Sequence, residues 1–131
     1  LTVGSSNVTF ATWITGSFAN GQVPAGKQGA NDDADGDGIS NLLEFAIEGQ
    51  DPTVPNPTVG SSTGSTLSFN KRQNPAVTGV TYAIEESTDL GVADDWDEVT
   101  GPNYIKTLTT ISYSYDTNVA PRNFLRLKVS Q

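Results

Sequence analysis

Carboxylates are crowded into one short stretch of the chain, residues 32–44, which reads DDADGDGISNLLE. The stretch contains five acidic residues, whereas charged residues make up 17% of the whole sequence. Like charges a few ångströms apart cannot all stay ionised unless a counter-charge lies among them. Carboxylate oxygens at this density are typical of sites for hard divalent cations. The sequence therefore predicts a metal ion in this stretch.

The spacing of these residues is that of the twelve-residue calcium loop of an EF-hand, and a glycine stands at the sixth place, where the loop turns sharply. Calcium takes six to eight oxygen ligands at about 2.3 to 2.6 Å. We expect the ion to be Ca²⁺, with the following ligands: Asp33, Asp35, Asp37, Ile39 through its backbone carbonyl, Asn41 directly or through a water, and Glu44 through both carboxylate oxygens.

A turn without a metal is the alternative, because Asp and Gly form turns through Asx hydrogen bonds and positive φ angles. That explanation covers any two of these residues. It does not explain three alternating aspartates followed by Gly38 at the sixth place and Glu44 at the twelfth. Magnesium is also less well matched, because an all-protein cage suits the larger and more flexible calcium shell.

The eighth place of the loop departs from the regulatory EF-hand, which has an aliphatic residue there for pairing with a second hand. Here that place is Ser40, and no second loop with the same spacing occurs in the sequence. A lone loop favours a structural ion over a sensor. Extracellular modules bind calcium in the range of about 10⁻⁴ to 10⁻³ M, which suits external fluid and not cytosol.

The elements around the loop follow from hydrophobic periodicity. Phe10, Trp13, Ile14 and Phe18 share one helical face, which predicts a helix from about Thr9 to Ala19. A second short helix is predicted within residues 40–49, which Gly49 and Pro52 would end. The proline-rich residues 51–65 are predicted to be an extended connector.

After the connector the apolar period becomes two, which indicates half-buried antiparallel strands in residues 66–70, 81–87, 110–115 and 123–129. We predict a β-sandwich of five to seven strands over residues 66–131. Its predicted core consists of Leu67, Phe69, Tyr82, Ile84, Ile111, Tyr113, Leu125, Leu127 and Val129. The predicted fold class is α+β: one module, residues 1–131, in which a helix–calcium loop–helix unit (residues 9–50) packs on the sandwich.

Composition restricts the function. The formal net charge of −8 opposes nucleic-acid binding, which depends on Lys and Arg, and no apolar run has the roughly 20 residues that span a bilayer. The absence of Cys, His and Met excludes thiolate, imidazole and Cys/His zinc chemistry. An acidic, cysteine-free chain is typical of an exported bacterial module, so we expect it to be secreted or at the cell surface.

The stretch DADGDGISNLLEFAIEGQDP resembles the calcium-binding stretch, similar to a thrombospondin type 3 or dockerin half-repeat, that opens a C-terminal module of large secreted bacterial proteins. A strand similar to residues 82–90, a tryptophan (here Trp96) and a last strand similar to residues 124–130 follow in those modules. The resemblance implies a non-catalytic accessory module of an exported multidomain protein, often a polysaccharide-degrading enzyme or adhesin. Dockerins carry two calcium repeats and this chain carries one, so cohesin docking is not implied.

Two function classes follow: a carbohydrate-binding or adhesive module, and a structural or sorting module in which calcium only stabilises the fold. We expect a monomer whose partners are the upstream domains of its parent and a polysaccharide. Trp96 and Tyr104 are the candidate sugar platforms, with capping of the sandwich as the alternative for the Trp96 ring. Catalysis is not expected, because the adjacent Glu85 and Glu86 on a strand point to opposite faces. The acidic residues 94–98 lack loop spacing and are predicted to be a solvated turn.

Overall fold

The computed structural model describes residues 7–73, 75–115 and 124–131. Within these residues the chain is mainly β-sheet, with two short helices. The helices are α1 (Phe10–Ile14) and α2 (Asn41–Ala46), and a 3₁₀ helix covers Ala25–Lys27. The strands are β1 (Ser17–Phe18), β2 (Gly21–Gln22), β3 (Ser61–Thr63), β4 (Thr66–Asn70), β5 (Thr81–Ser87), β6 (Asp97–Glu98), β7 (Tyr104–Lys106), β8 (Thr110–Ser114) and β9 (Phe124–Ser130).

The strands form three sheets in which all neighbours are antiparallel. Strands β1 and β2 make a small hairpin, the second sheet has the order β3-β4-β8-β7, and the third has the order β6-β5-β9. In the third sheet Ile84 pairs with Leu127, and in the second Phe69 pairs with Ile111. These pairs place the apolar side chains of both sheets toward one shared core.

The first helix is shorter than its hydrophobic pattern predicts. Thr9 begins it by accepting a hydrogen bond from the Thr12 N–H at 3.3 Å, and Gly16 N–H donates to the Trp13 carbonyl just after its end. The chain then turns into the β1–β2 hairpin, where Gly21 has a φ of +103°. Phe18 still contacts Trp13, with ring centroids 5.0 Å apart, but from a strand. The predicted helix to Ala19 is therefore wrong beyond Ile14.

The predicted fold class, α+β with an N-terminal helix–loop–helix unit, is also wrong. The two helices have five and six residues, whereas three sheets make up most of the regular structure of the described residues. Helices of one or two turns bury too little surface to form a layer of their own: α1 packs against α2, and α2 packs against β9. None of the described helices has the length and hydropathy to cross a membrane.

Two neighbouring hydrophobic clusters form the core. The first lies between the two larger sheets, and its buried residues are Ala46, Ile47, Phe69, Tyr82, Ile84, Val99 and Ile111. The second lies under α1, and its buried residues are Phe10, Trp13, Ile14, Val23, Leu42 and Phe45. Helix α2 contributes to both clusters, and Val77, Val80 and Val129 pack against both. A short helix at this junction fixes how the two clusters meet.

The core residues predicted for residues 66–131 are confirmed: each is buried or packs against the first cluster. Phe69, Tyr82, Ile84 and Ile111 are buried. The other predicted residues are partly buried and pack against the same cluster: Leu67, Tyr113, Leu125, Leu127 and Val129. Residues 61–63, in the segment predicted as connector, form β3. The division into residues 9–50, 51–65 and 66–131 stays a prediction.

Candidate metal centre

The acidic loop is shaped by hydrogen bonds to its first aspartate. Asp33 Oδ1 accepts from the N–H groups of Gly36 (2.9 Å) and Asp37 (3.2 Å), and Asp33 Oδ2 accepts from Gly38 N–H (2.8 Å). Gly36 and Gly38 have φ values of +75° and +90°, a region that residues with a Cβ rarely occupy. The two glycines therefore let the backbone curl around one carboxylate.

The two ends of the loop are tied together. Asn41 N–H donates to the Asp32 carbonyl at 2.8 Å, and Leu42 N–H donates to the Ala30 carbonyl at 3.0 Å. The Asn41 amide nitrogen donates to the carbonyls of Lys27 (2.7 Å) and Gly29 (3.0 Å). These bonds orient the fully buried Asn41 amide, whose Oδ1 has no hydrogen-bond partner among the described residues.

Helix α2 carries the last acidic residue into the loop. Ser40 caps the helix by accepting a 3.4 Å hydrogen bond from Leu43 N–H, and Glu44 lies one turn later with no exposed surface. One carboxylate oxygen of each of Asp33, Asp35, Asp37 and Glu44 lies within 4.8 Å of the others. Both oxygens of Glu44 and Oδ2 of Asp35 are buried without a hydrogen-bond partner among the described residues.

The pKa values of the cluster reflect this crowding. Burial, followed by the charges of Asp35, Asp37 and Asp33, raises the pKa of Glu44 from 4.5 to about 9. Burial is also the main cause that raises the pKa of Asp35 to about 6. The N–H of Gly38 is the first cause that lowers the pKa of Asp33. Without an ion Glu44 therefore holds a proton at neutral pH.

The chemistry of the donors fits a metal cation. A buried carboxylate without a partner is strongly unfavourable, and only a cation, a proton or a donor can satisfy it. The nearby Arg72 does not do so, because its guanidinium donates to the backbone carbonyls of Glu44, Phe45 and Gln50. The four carboxylates can therefore hold a metal ion.

The structure brings together the four predicted carboxylate ligands and places the other two predicted ligands beside them. Ile39 N–H donates to Asp37 Oδ1 at 2.9 Å, which fixes the backbone that bears the predicted carbonyl ligand. The unpartnered Asn41 Oδ1 is compatible with a direct or water-mediated contact. Coordination by Ile39 and Asn41 stays a prediction.

The Trp96 ring is in contact with neighbouring residues of the fold. The Arg126 guanidinium carbon lies 4.2 Å from the ring centroid, and an added Cβ on Gly91 would be 2.6 Å from the indole nitrogen. Arg126 in turn is paired with Glu85: its Nη2 lies 2.7 Å from Glu85 Oε1. These contacts are those of a partly buried ring packed on the β5–β9 face.

Tyr104 uses its hydroxyl group within the fold. The hydroxyl donates to Glu98 Oε2 at 2.6 Å and accepts from Ile84 N–H at 3.0 Å. Strand β6 pairs with β5 only at Glu85 and Glu86, so Tyr104 satisfies the next backbone donor of β5. Its ring meets that of Tyr113 edge to face, 6.2 Å between centroids. Sugar binding by Trp96 and Tyr104 stays a prediction.

The second acidic stretch, residues 89–98, holds its carboxylates differently. Asp89 accepts from the N–H groups of Val92, Ala93 and Asp94, and Asp94 accepts from the N–H and hydroxyl of Thr88. Among the described residues, the cluster of Asp33, Asp35, Asp37 and Glu44 is the one group of acidic ligands close enough to share a metal.

One contact of the acidic loop was missed by sequence reasoning. Asn56 N–H donates to Asp37 Oδ2 at 2.8 Å, across 19 residues of chain. The flanking Pro55 and Pro57 indicate an extended segment, which is the nearest signal in the sequence, but they do not indicate where the segment lies.

The chain matches no protein-family model, no curated protein and no solved structure. The resemblance to modules of secreted bacterial proteins is therefore neither supported nor opposed by these comparisons.

Proposed function

We propose that the acidic cluster binds Ca²⁺ and that the protein is a non-catalytic module whose fold this ion stabilises. The observation that carries the proposal is Glu44, which is completely buried with both carboxylate oxygens unpartnered. Buried polar groups in folded proteins have a partner that satisfies their hydrogen-bonding or charge, so the Glu44 carboxylate needs one as well. A divalent cation satisfies Glu44 and the three aspartates together.

Calcium is favoured over magnesium by the shape of the donor set. Two free oxygens on Glu44 offer bidentate binding, which suits the six to eight ligands of Ca²⁺. Magnesium requires a near-ideal octahedron and keeps several waters, which is poorly matched to a buried carboxylate beside three others. The order Asp33, Asp35, Asp37, Glu44 in a twelve-residue loop supports the same choice.

The proposed role of the ion is to fix the junction of the two clusters. Glu44 is in α2, where Phe45 packs under α1 and Ala46 packs between the larger sheets. Neutralising the Glu44 carboxylate in place allows the helix to keep both contacts without burying an uncompensated charge. The ion therefore acts through the core, which is a structural role.

An adhesive, carbohydrate-binding module is the second candidate function. The partial exposure of Trp96 and Tyr104 favours it, because aromatic rings at a surface can stack on sugars. A glycan array probed in calcium and again in chelator would test it, with Trp96→Ala as the variant. Glycan binding that depends on calcium and is lost in Trp96→Ala would support adhesion. If the protein binds no glycan, the structural role is the one that remains.

The proposal extends to the compartment. An unpaired loop of this kind is expected to bind calcium at about 10⁻⁴ to 10⁻³ M, so it would be filled outside the cell. We therefore propose a secreted or cell-surface protein, in which this module accompanies upstream domains of a multidomain parent.

Calorimetric titration combined with thermal unfolding tests the proposed function. We expect one calcium ion to bind per chain, and the melting temperature to fall when a chelator removes it. A ligand at about a hundredfold excess over its Kd adds about 2.7 kcal/mol to the stability of the folded state. No calcium uptake at millimolar concentration, or an unchanged melting temperature in chelator, would overturn the proposal.

A further inference from the structure

Residues 54–58 cross the surface beside the acidic loop with little to hold them by packing. The side chains of Val54, Pro55, Asn56, Pro57 and Thr58 are all exposed. Segments with few buried apolar contacts open at low free energy unless polar contacts hold them. We call these residues the strap.

Apart from a turn bond from Val54 N–H to the Asp51 carbonyl (3.1 Å), two hydrogen bonds between described residues join the strap to the rest of the fold. Asn56 N–H donates to Asp37 Oδ2 at 2.8 Å, and the Gln50 side-chain amide donates to the Thr58 carbonyl at 2.7 Å. Within the strap, Thr58 N–H donates to Asn56 Oδ1 at 3.2 Å. One of the two contacts beyond the local turn is therefore with a carboxylate of the candidate metal centre.

The second contact leads back to the same centre. Gln50 is 3% exposed, and one guanidinium nitrogen of Arg72 donates to the carbonyls of both Gln50 and Glu44. Arg72 is buried, and its guanidinium carbon lies 5.1 Å from the centroid of the Trp13 ring. Thus both anchors of the strap are linked to residues of the acidic cluster: one to the Asp37 side chain, the other to the Glu44 backbone.

We propose that the occupied calcium site holds the strap in place and that the strap, in turn, strengthens the site. This inference rests on the proposed function. With the ion bound, Asp37 is fixed between the cation and Asn56 N–H, and its two oxygens have lone pairs for both. Without the ion, repulsion from the Asp33 and Asp35 carboxylates displaces the Asp37 carboxylate and weakens its bond to the strap. Coupling of this kind is reciprocal.

The strap also forms part of the wall of a polar cavity of about 280 Å³, whose lining includes Ile47, Gln50, Asn56, Thr58, Ser68 and Asn70. Loss of calcium would open this wall and expose the proline-rich strap to solvent on both sides. The calcium site thereby determines how firmly this wall of the cavity is held.

A pair of variants at one position isolates the bond. Asn56→Pro removes the N–H that Asp37 accepts, and Pro57 already restricts residue 56 to the extended region that proline accepts. Asn56→Ala keeps the N–H and, like Asn56→Pro, loses the side-chain bond to Thr58. In calorimetric titration we expect Asn56→Pro to bind Ca²⁺ about fivefold more weakly than Asn56→Ala, because one hydrogen bond to a charged acceptor is lost.

Hydrogen exchange of the wild type measures the converse effect. The Asn56 amide should lose protection in chelator by a larger factor than the amide of Val99, which is buried and donates to Ile84 O at 2.9 Å. Melting temperatures of the two variants in chelator should agree, which excludes a folding defect of Asn56→Pro. Equal calcium affinities of the two variants would overturn only the inference about the strap. If the wild type took up no calcium, the proposed function would be overturned as well.

Discussion

Two acidic loops of equal charge, residues 32–44 and 89–98, treat their carboxylates in opposite ways. Each contains five acidic residues. In the second loop Asp89 is satisfied by backbone N–H groups, which lower its pKa, and Glu98 pairs with Lys106 at 2.7 Å and with the Tyr104 hydroxyl. In the first loop Glu44 and one oxygen of Asp35 are buried without a partner.

The difference shows that acidic density alone does not make a metal site. A carboxylate that is exposed, or that accepts hydrogen bonds from its own loop, is stable without an ion. A carboxylate that a helix buries in the core has lost its solvation, and where no donor among the described residues replaces the water, a cation or a proton must satisfy it. The feature that distinguishes the two loops is thus a buried group with unused acceptors.

Glu44→Gln is expected to have the largest effect on this comparison. The amide keeps the size of Glu44 and removes the buried charge, so calcium affinity should fall by roughly 100-fold or more, since affinity follows the charge of the ligands. Titration calorimetry measures the loss. The matched change in the second loop, Asp95→Asn, should leave calcium affinity unchanged, and an equal loss in both variants would erase the distinction between the loops.

Asp89→Ala should affect the second loop in the opposite manner. It leaves three backbone donors, at Val92, Ala93 and Asp94, without their acceptor. We expect a modest fall in the free energy of unfolding, because the freed N–H groups of Val92 and Ala93 are exposed and water can replace the carboxylate. Denaturant unfolding in excess calcium measures this loss, and titration should show unchanged calcium affinity. A weaker affinity would mean that the two loops are coupled.

The pH dependence of the ion-free protein should follow Glu44, whose pKa in the fold is about 9 against an ordinary 4.5. Between these values the folded chain keeps a proton that the unfolded chain has lost, so stability falls as pH rises, by about 1.4 kcal/mol per pH unit for one proton. Melting curves in chelator should therefore shift downward from pH 5 to pH 8.

With calcium the trend should reverse, because the ion requires the carboxylate and displaces that proton. Calorimetric titration at pH 7 in two buffers of different ionisation enthalpy should show proton release on binding. Absence of proton release, together with a flat melting temperature in chelator, would show that Glu44 is already ionised without the ion.

Lys106→Ala should have the smallest effect. Lys106 and Glu98 are both about half exposed, and pairs of this kind contribute about 0.2 to 1 kcal/mol. Thermal unfolding at low and high salt measures the change, which should shrink as salt screens the pair. Calcium uptake by this variant at a second site would contradict the view that the second loop needs no ion.

The sequence pattern predicted the candidate site more accurately than it predicted the fold. Asp33, Asp35, Asp37 and Glu44 are predicted and found together, because their spacing sets a turn and a helix start within twelve residues. The predicted first helix was too long, because Phe18 can contact Trp13 from a hairpin as well as from a helix. Periodicity alone does not distinguish these cases, so the helical unit was assigned wrongly.

The sequence by itself determined which residues could bind a cation and which faces of the strands are apolar, since both depend on neighbours a few positions away. The tertiary structure decided what each group meets across the chain. It placed Arg126 on Trp96, the Tyr104 hydroxyl on the backbone of Ile84, and Asn56 on Asp37. The physical reason is that solvation and hydrogen-bond partners are set by long-range packing, so a carboxylate is satisfied by hydrogen bonds in one loop and is buried with unused acceptors in the other.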